Sequence, residues 1–210
     1  NHLFRTHILL INQIHFQLLL VYVLESFKMR IIAGEYRGRT IKFPKSKLVR
    51  PTTDKNKEAI FNMLKQYVLF DGIKMCDIYA GSGSLGLESL SRGADIVHFV
   101  EKDFKVQKML NENIESLNAT QYCRIFNMEA IRFSKLTDHD QYDLIIADPP
   151  FFNHDIHEVY KYILENNFIT EDGVFLIERS IQTKEIDEKA FGKEAIKRLG
   201  DSLIYIFTNS

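Results

Sequence analysis

The stretch Asp77-Ile78-Tyr79-Ala80-Gly81-Ser82-Gly83-Ser84-Leu85-Gly86 constrains this chain more than any other. It stands between an apolar run of strand length, Lys74 to Tyr79, and a helical stretch, Leu85 to Arg92. Gly81, Gly83 and Gly86 satisfy G-x-G-x-x-G in the strand-to-helix setting the motif requires, and Glu101 follows Gly81 by 20 residues at the end of the next apolar run. Glycines at such a turn let the main chain approach a ligand closely, and the acid can accept hydrogen bonds from both hydroxyls of a ribose. A nucleoside-containing cofactor is implied. A merely tight turn would not explain the strand, the helix and the acid together.

The remaining chain supplies a fold for that turn. Ile96 to Glu101, Cys123 to Phe126, Leu144 to Ala147 and Val174 to Glu178 are further runs of strand length. Between them Phe104 to Leu117, Ala130 to Leu136 and Ile156 to Glu165 carry a helical apolar period. Strands alternating with helices predict an α/β architecture of Rossmann-like type: a doubly wound, mostly parallel sheet joined by right-handed crossovers. Leu203 to Phe207, after the Gly200-Asp201 turn, is expected as an antiparallel last strand. Ahead of the sheet, Arg30 to Ala33 and Arg39 to Phe43 flank a glycine-containing turn and read as a small basic β-hairpin. Asp54 to Leu64 follows as a helix after Pro51, with Thr52, Thr53 and Asp54 as candidate caps. The expected division is an appended apolar segment over 1–28, a basic arm over 29–50 and one catalytic domain over 51–210. Polar residues interrupt the first segment (Asn12, Gln13, His15, Gln17), so it reads neither as a clean membrane span nor as a clean signal peptide.

Charge is unevenly spread. The net charge is −1, yet residues 28–57 carry ten Lys/Arg against Glu35 and Asp54 alone. A basic arm on an acidic body suits a polyanion, and Arg30, Arg37, Arg39 and Lys42 are its candidate phosphate contacts; the competing reading is a solvated charged hairpin. Cys76 and Cys123 form no CxxC pair, and His154 with His157 has no third ligand in view, so no metal is expected. A reducing cytoplasm fits two lone cysteines.

The choice of cofactor turns on Asp77. A dinucleotide would bring its pyrophosphate to the glycine turn and helix N-terminus, where a carboxylate repels it. S-adenosylmethionine carries an ammonium and a sulfonium instead, for which a carboxylate is favourable, and this moves the preferred chemistry from hydride to methyl transfer.

After Leu144-Ile145-Ile146-Ala147 the chain reads Asp148-Pro149-Pro150-Phe151, at the carboxyl end of a strand, where doubly wound sheets place ligands. An exocyclic base amine is a poor nucleophile because its lone pair is delocalised into the ring. Asp148 and the Pro149 carbonyl can accept its two N–H groups and favour a tetrahedral nitrogen facing the methyl in line, which is catalysis by orientation and electrostatics. Pro150 stiffens the loop, and Phe151 can stack on the base.

The glycine turn with Asp-Pro-Pro-Phe resembles class I methyltransferases acting on amino groups. Met29-Arg30-Ile31-Ile32-Ala33-Gly34, Arg37-Gly38, Arg50-Pro51-Thr52-Thr53-Asp54 and Glu58-Ala59-Ile60-Phe61-Asn62 resemble the RsmD family of bacterial 16S rRNA guanine-N(2) methyltransferases, over essentially Met29 to Phe207. The resemblance implies S-adenosylmethionine held by Arg50, Pro51, Thr52, Asp77, Tyr79, Ala80, Gly81, Ser82, Gly83, Glu101, Lys102, Glu129 and Ala130. It implies Asp148, Pro149, Pro150 and Phe151 as catalytic, and ribosomal RNA or a small-subunit assembly particle as partner to a monomer in the cytoplasm. Glu129 stands where Asp or Asn is more usual, and Phe151 where Tyr is. The nearest rival is an adenine-N(6) DNA methyltransferase, since the tetrapeptide serves any planar amine. The short loops leave little room for the target-recognition region such enzymes carry. A binding module without activity would be expected to lack Asp148, and a dehydrogenase would have no use for Asp-Pro-Pro-Phe.

Overall fold

Lys74 to Ile78, Ile96 to Glu101, Leu144 to Ala147 and Val174 to Glu178 lie in strands largely buried on both faces, which is why they read as nearly continuous hydrophobic sequence rather than as a strict alternation, whereas Cys123 to Phe126 is only partly buried. The computed structural model describes residues 29–43, 54–150 and 155–209. Its elements in order are β1 (Met29–Arg30), β2 (Thr40–Ile41), α1 (Asp54–Leu64), β3 (Lys74–Ile78), α2 (Ser84–Ser91), β4 (Ile96–Glu101), α3 (Phe104–Ser116), β5 (Cys123–Asn127), α4 (Ala130–Phe133), β6 (Tyr142–Ala147), α5 (Ile156–Glu165), β7 (Ile169–Ser180), α6 (Lys184–Phe191), β8 (Lys197–Leu199) and β9 (Ser202–Thr208).

The main sheet has seven strands in the order β5-β4-β3-β6-β7-β9-β8. β5, β4, β3, β6 and β7 are mutually parallel, and β9 runs antiparallel to both β7 and β8. The doubly wound, mostly parallel sheet with an antiparallel last strand is thus the observed architecture. Successive strand residues alternate between two apolar layers. Met75, Phe99, Ile146 and Leu176 face a layer with Ile60, Phe61, Leu87 and Leu110 of α1, α2 and α3. Cys76, Ile78, Ile145 and Ile177 face the other, with Phe133, Ile156, Val159 and Phe191 of α4, α5 and α6.

The differences from expectation lie at the ends and in polar segments. β3 stops at Ile78 because Tyr79 adopts φ 65°. β7 begins five residues before Val174, and the hairpin strands shrink to two residues each. α6 and β8 add to the expected elements: Lys184-Glu185-Ile186-Asp187-Glu188-Lys189-Ala190-Phe191 has only a faint apolar period, with Ile186 exposed and Phe191 buried. The hairpin docks on the sheet through Ile31 and Ile41, which enter the layer of α1, α2 and α3.

Candidate active site

The strand order reverses between β3 and β6: the chain leaves β3 outward to β4 and β5, then returns to form β6 on the other side of β3. Such a switch opens a crevice at the carboxyl ends of the two strands. The ladder pairs Ile78 with Ala147, so Tyr79 and Asp148 leave adjacent strand ends together. The glycine turn and Asp148-Pro149-Pro150 are therefore neighbours in space although about 70 residues separate them in sequence. Asp148 is half-buried, Pro149 buried and Pro150 exposed. Arg50, Pro51, Thr52, Phe151 and His154 lie outside the described residues.

The three glycines do different work. Gly81 has φ 54°, and a Cβ there would meet nothing closer than the Tyr79 carbonyl oxygen at 3.9 Å, so its main chain is open to a ligand. A Cβ on Gly83 would stand 2.4 Å from Leu110 Cδ1 of α3 and one on Gly86 2.3 Å from Phe99 Cε1 of β4; both are packing glycines, the first fitting the turn against α3 and the second seating α2 on the sheet. Gly83 caps α2 without a side chain, and the orphan N–H of Gly86 is taken by Asp77 Oδ2 at 2.8 Å.

Asp77 is thereby tied into the turn. Its side chain is 2% exposed and turned toward α2. Burial pushes its carboxyl up to about 8, against the opposing pull of the Gly86 bond, with Glu101 adding to the rise. Through that bond Asp77 shapes the turn from which α2 starts.

Glu101, at the end of β4, reaches across to the turn: Oε2 accepts from Gly81 N at 3.0 Å and Oε1 from Asp103 N at 2.8 Å. A carboxylate has about four acceptor sites, so two remain for hydroxyl donors after those bonds. Asp103 in turn caps α3, accepting from Lys105 N and Val106 N. Lys102 meets Glu129, at the start of α4, in an exposed ion pair of 3.6 Å. Gly81, Glu101, Lys102, Glu129 and Ala130 thus stand at the carboxyl ends of three consecutive parallel strands, while Ser82 is buried beside the hairpin, its hydroxyl 3.4 Å from Met29 Sδ. Tyr79 is different: its hydroxyl donates to Asp155 Oδ1 at 2.6 Å, just ahead of α5. Nothing in the sequence pattern signals that bond.

The basic arm is less free than its composition suggests. Arg30 pairs with Asp54 at 2.6 Å, Lys42 with Glu112 at 2.8 Å, and Arg39 donates to the Ser116 carbonyl at the end of α3. Arg37 is exposed. Asn113, 2% exposed, ties the arm to the glycine turn: Oδ1 accepts from Lys42 N, and Nδ2 donates to the carbonyls of Lys42 and Ser82.

The model of the family described as Conserved hypothetical protein 95 matches residues 29–208. The chain belongs to this family, the RsmD family. Among relatives of this RsmD-family chain, Ribosomal RNA small subunit methyltransferase D of Haemophilus influenzae is 34% identical over 153 residues, 72% of this chain and 78% of the relative. The protein of the same name from Escherichia coli strain K12 is 33% identical over 159 residues, covering 75% and 77%. The solved structure of Escherichia coli yhhF superimposes with a TM-score of 0.70 at 27% identity, covering 85% of this chain and 96% of that one. The RsmD-family chain is a methyltransferase. Among its described residues no group of three His, Cys, Asp or Glu could hold a metal ion, and no helix is long and apolar enough to cross a membrane.

Proposed function

We propose that this chain transfers a methyl group from S-adenosylmethionine to the exocyclic N(2) amine of a guanine in 16S ribosomal RNA, in the cytoplasm. The observation that carries the reading is the adjacency of the Gly81–Glu101 turn and Asp148-Pro149 across the β3–β6 switch. The names of the relatives support ribosomal RNA as the substrate.

S-adenosylmethionine supplies an electrophilic methyl group on sulfur. Gly81 and Ser82 would line its approach, Glu101 would take the ribose hydroxyls on its remaining lone pairs, and Lys102, Glu129 and Ala130 would flank the adenosine. Arg50, Pro51 and Thr52 belong to the same proposal. Asp148 and the Pro149 carbonyl would hold the two amine N–H groups, Pro150 would stiffen the loop, and Phe151 would stack on the base. Asp148 would receive the proton that the nitrogen loses after transfer.

The test is labelled transfer from S-adenosylmethionine to small-subunit RNA, naked and as an assembly particle, with the modified nucleotide mapped in cells with and without the gene. A guanine N(2) methyl present only with the gene is the expected result. Label entering DNA adenine, or calorimetry showing binding of NAD but not of S-adenosylmethionine, overturns the reading.

A further inference from the structure

Two polar contacts hold the start of α5, the helix that follows the Asp148-Pro149-Pro150 segment. On one side Tyr79 Oη donates to Asp155 Oδ1 at 2.6 Å. On the other, His157 Nε2 lies 2.7 Å from Asp187 Oδ1, and Asp187 Oδ2 accepts from Arg179 Nε at 2.9 Å and from the Thr183 hydroxyl. Arg179 and Asp187 keep no exposed side-chain surface, so that second clamp is anchored in the core at the end of β7.

Tyr79 belongs to both halves of the crevice. Its main chain opens the glycine turn, two residues before Gly81, with φ 65°. A positive φ is uncommon and strained for a bulky residue, and it persists only where the surroundings enforce it. Its ring packs in the layer of α4, α5 and α6, and its hydroxyl holds the residue next to α5. Burial, and then the bond to Asp155, raise its phenol well above the usual range, so it stays an O–H donor throughout the physiological range. Parallel neighbours lie about 4.8 Å apart, so Tyr79 and Asp148, each one residue past the Ile78–Ala147 ladder pair, share one strand-end position.

From this we infer that Tyr79 is a positioning residue for methyl transfer: its hydroxyl ties the cofactor turn to the start of α5 at Asp155, and the bond fixes Tyr79, and with it the turn, beside the adjacent strand end that carries Asp148, keeping cofactor and carboxylate in register. The inference rests on the proposed function, in which Asp148 holds the amine. In-line transfer is steep in distance, and a displacement of about 1 Å can cost on the order of 100-fold in rate.

A double-mutant cycle on single-turnover methyl transfer to small-subunit RNA at saturating S-adenosylmethionine tests this, with cofactor affinity measured by calorimetry alongside. Tyr79→Phe and Asp155→Ala should each slow transfer about tenfold, and the double variant should be about tenfold slow rather than about 100-fold, because the same single bond is broken in all three. Asp155→Asn keeps an acceptor oxygen and should stay within about threefold of wild type. Cofactor affinity should change by less than about twofold, a split that general loosening of the fold would not produce. Wild-type rate in Tyr79→Phe, multiplicative losses in the double variant, or a fall in cofactor affinity matching the fall in rate would each overturn the inference while leaving the proposed function standing. A wild-type protein that methylates no RNA would overturn both.

Discussion

Lys57 and Glu88 form an ion pair of 3.5 Å in which neither side chain keeps any exposed surface. Glu88 also accepts from Ile32 N, Ala33 N and Arg92, and Lys57 Nζ donates to the Arg30 carbonyl and to Ser84 Oγ. One buried carboxylate therefore joins the hairpin, α1 and α2, the helix that opens at the glycine turn. Burial pulls the Lys57 ammonium down, and Glu88 opposes that pull.

Removing one member of a buried pair strands the other charge. Glu88→Ala should cost about 3–5 kcal/mol of stability, read from urea unfolding. A loss below about 1 kcal/mol would mean that water reaches Lys57 and the pair is not structural.

Asp148 carries the proposed chemistry, and its contribution grows as the nitrogen becomes tetrahedral and positively charged. Asp148→Ala should lower single-turnover transfer about 100-fold to 1,000-fold, as loss of one transition-state hydrogen-bond partner does, with cofactor affinity nearly intact. Asp148→Asn separates two roles: appreciable activity assigns Asp148 to orientation, and none assigns it to taking the proton as well. Wild-type turnover in Asp148→Ala would place the active site elsewhere.

Asp77 gives a pH dependence with a definite sign. Its folded value of about 8 lies above the ordinary 3.8, so the folded state binds the extra proton between those values. Stability therefore falls as pH rises through that window, with the cost fully present above about 8 and absent below about 4. Asp77→Asn keeps an oxygen for Gly86 N and removes the titration, so its thermal midpoint should gain on wild type between pH 5 and pH 8. A constant difference across that range would show that Asp77 is ionised in the fold.

The arm makes a graded prediction. If Arg30, Arg37, Arg39 and Lys42 contact phosphates, neutralising all four should weaken RNA binding and reduce its salt slope by about one unit for each phosphate left without its cation, with cofactor affinity unchanged. Because Lys42 is held by Glu112, Glu112→Gln should strengthen RNA binding modestly, as release of an exposed pair does. A slope unchanged in the quadruple variant would leave the arm a solvated face.

The Glu101→Ala variant addresses the cofactor directly. Loss of its proposed ribose hydrogen bonds should weaken S-adenosylmethionine binding by about 1–3 kcal/mol, measured by calorimetry. Unaltered affinity would confine Glu101 to holding Gly81 N and Asp103 N.

The fold class, the run of parallel strands, the glycine turn with Glu101, and Asp148-Pro149-Pro150 at a strand end were legible in the linear sequence. Each is a local matter: an apolar period, a glycine where φ must be positive, a proline after an apolar run. Glu88 had a partial signal, a lone acid in Ser84-Leu85-Gly86-Leu87-Glu88-Ser89-Leu90-Ser91, whose every residue is buried and which must therefore find partners. Tertiary structure alone decided which strand ends meet, that Asp77 turns inward to Gly86 where burial raises its carboxyl, that Lys57 supplies the partner of Glu88, and that Tyr79 reaches Asp155. Those outcomes depend on burial and on contacts between residues 9 to 76 positions apart. A carboxyl or a phenol takes its charge and its partner from the dielectric and the neighbours that folding brings to it, and neither is written in the residues beside it in the chain.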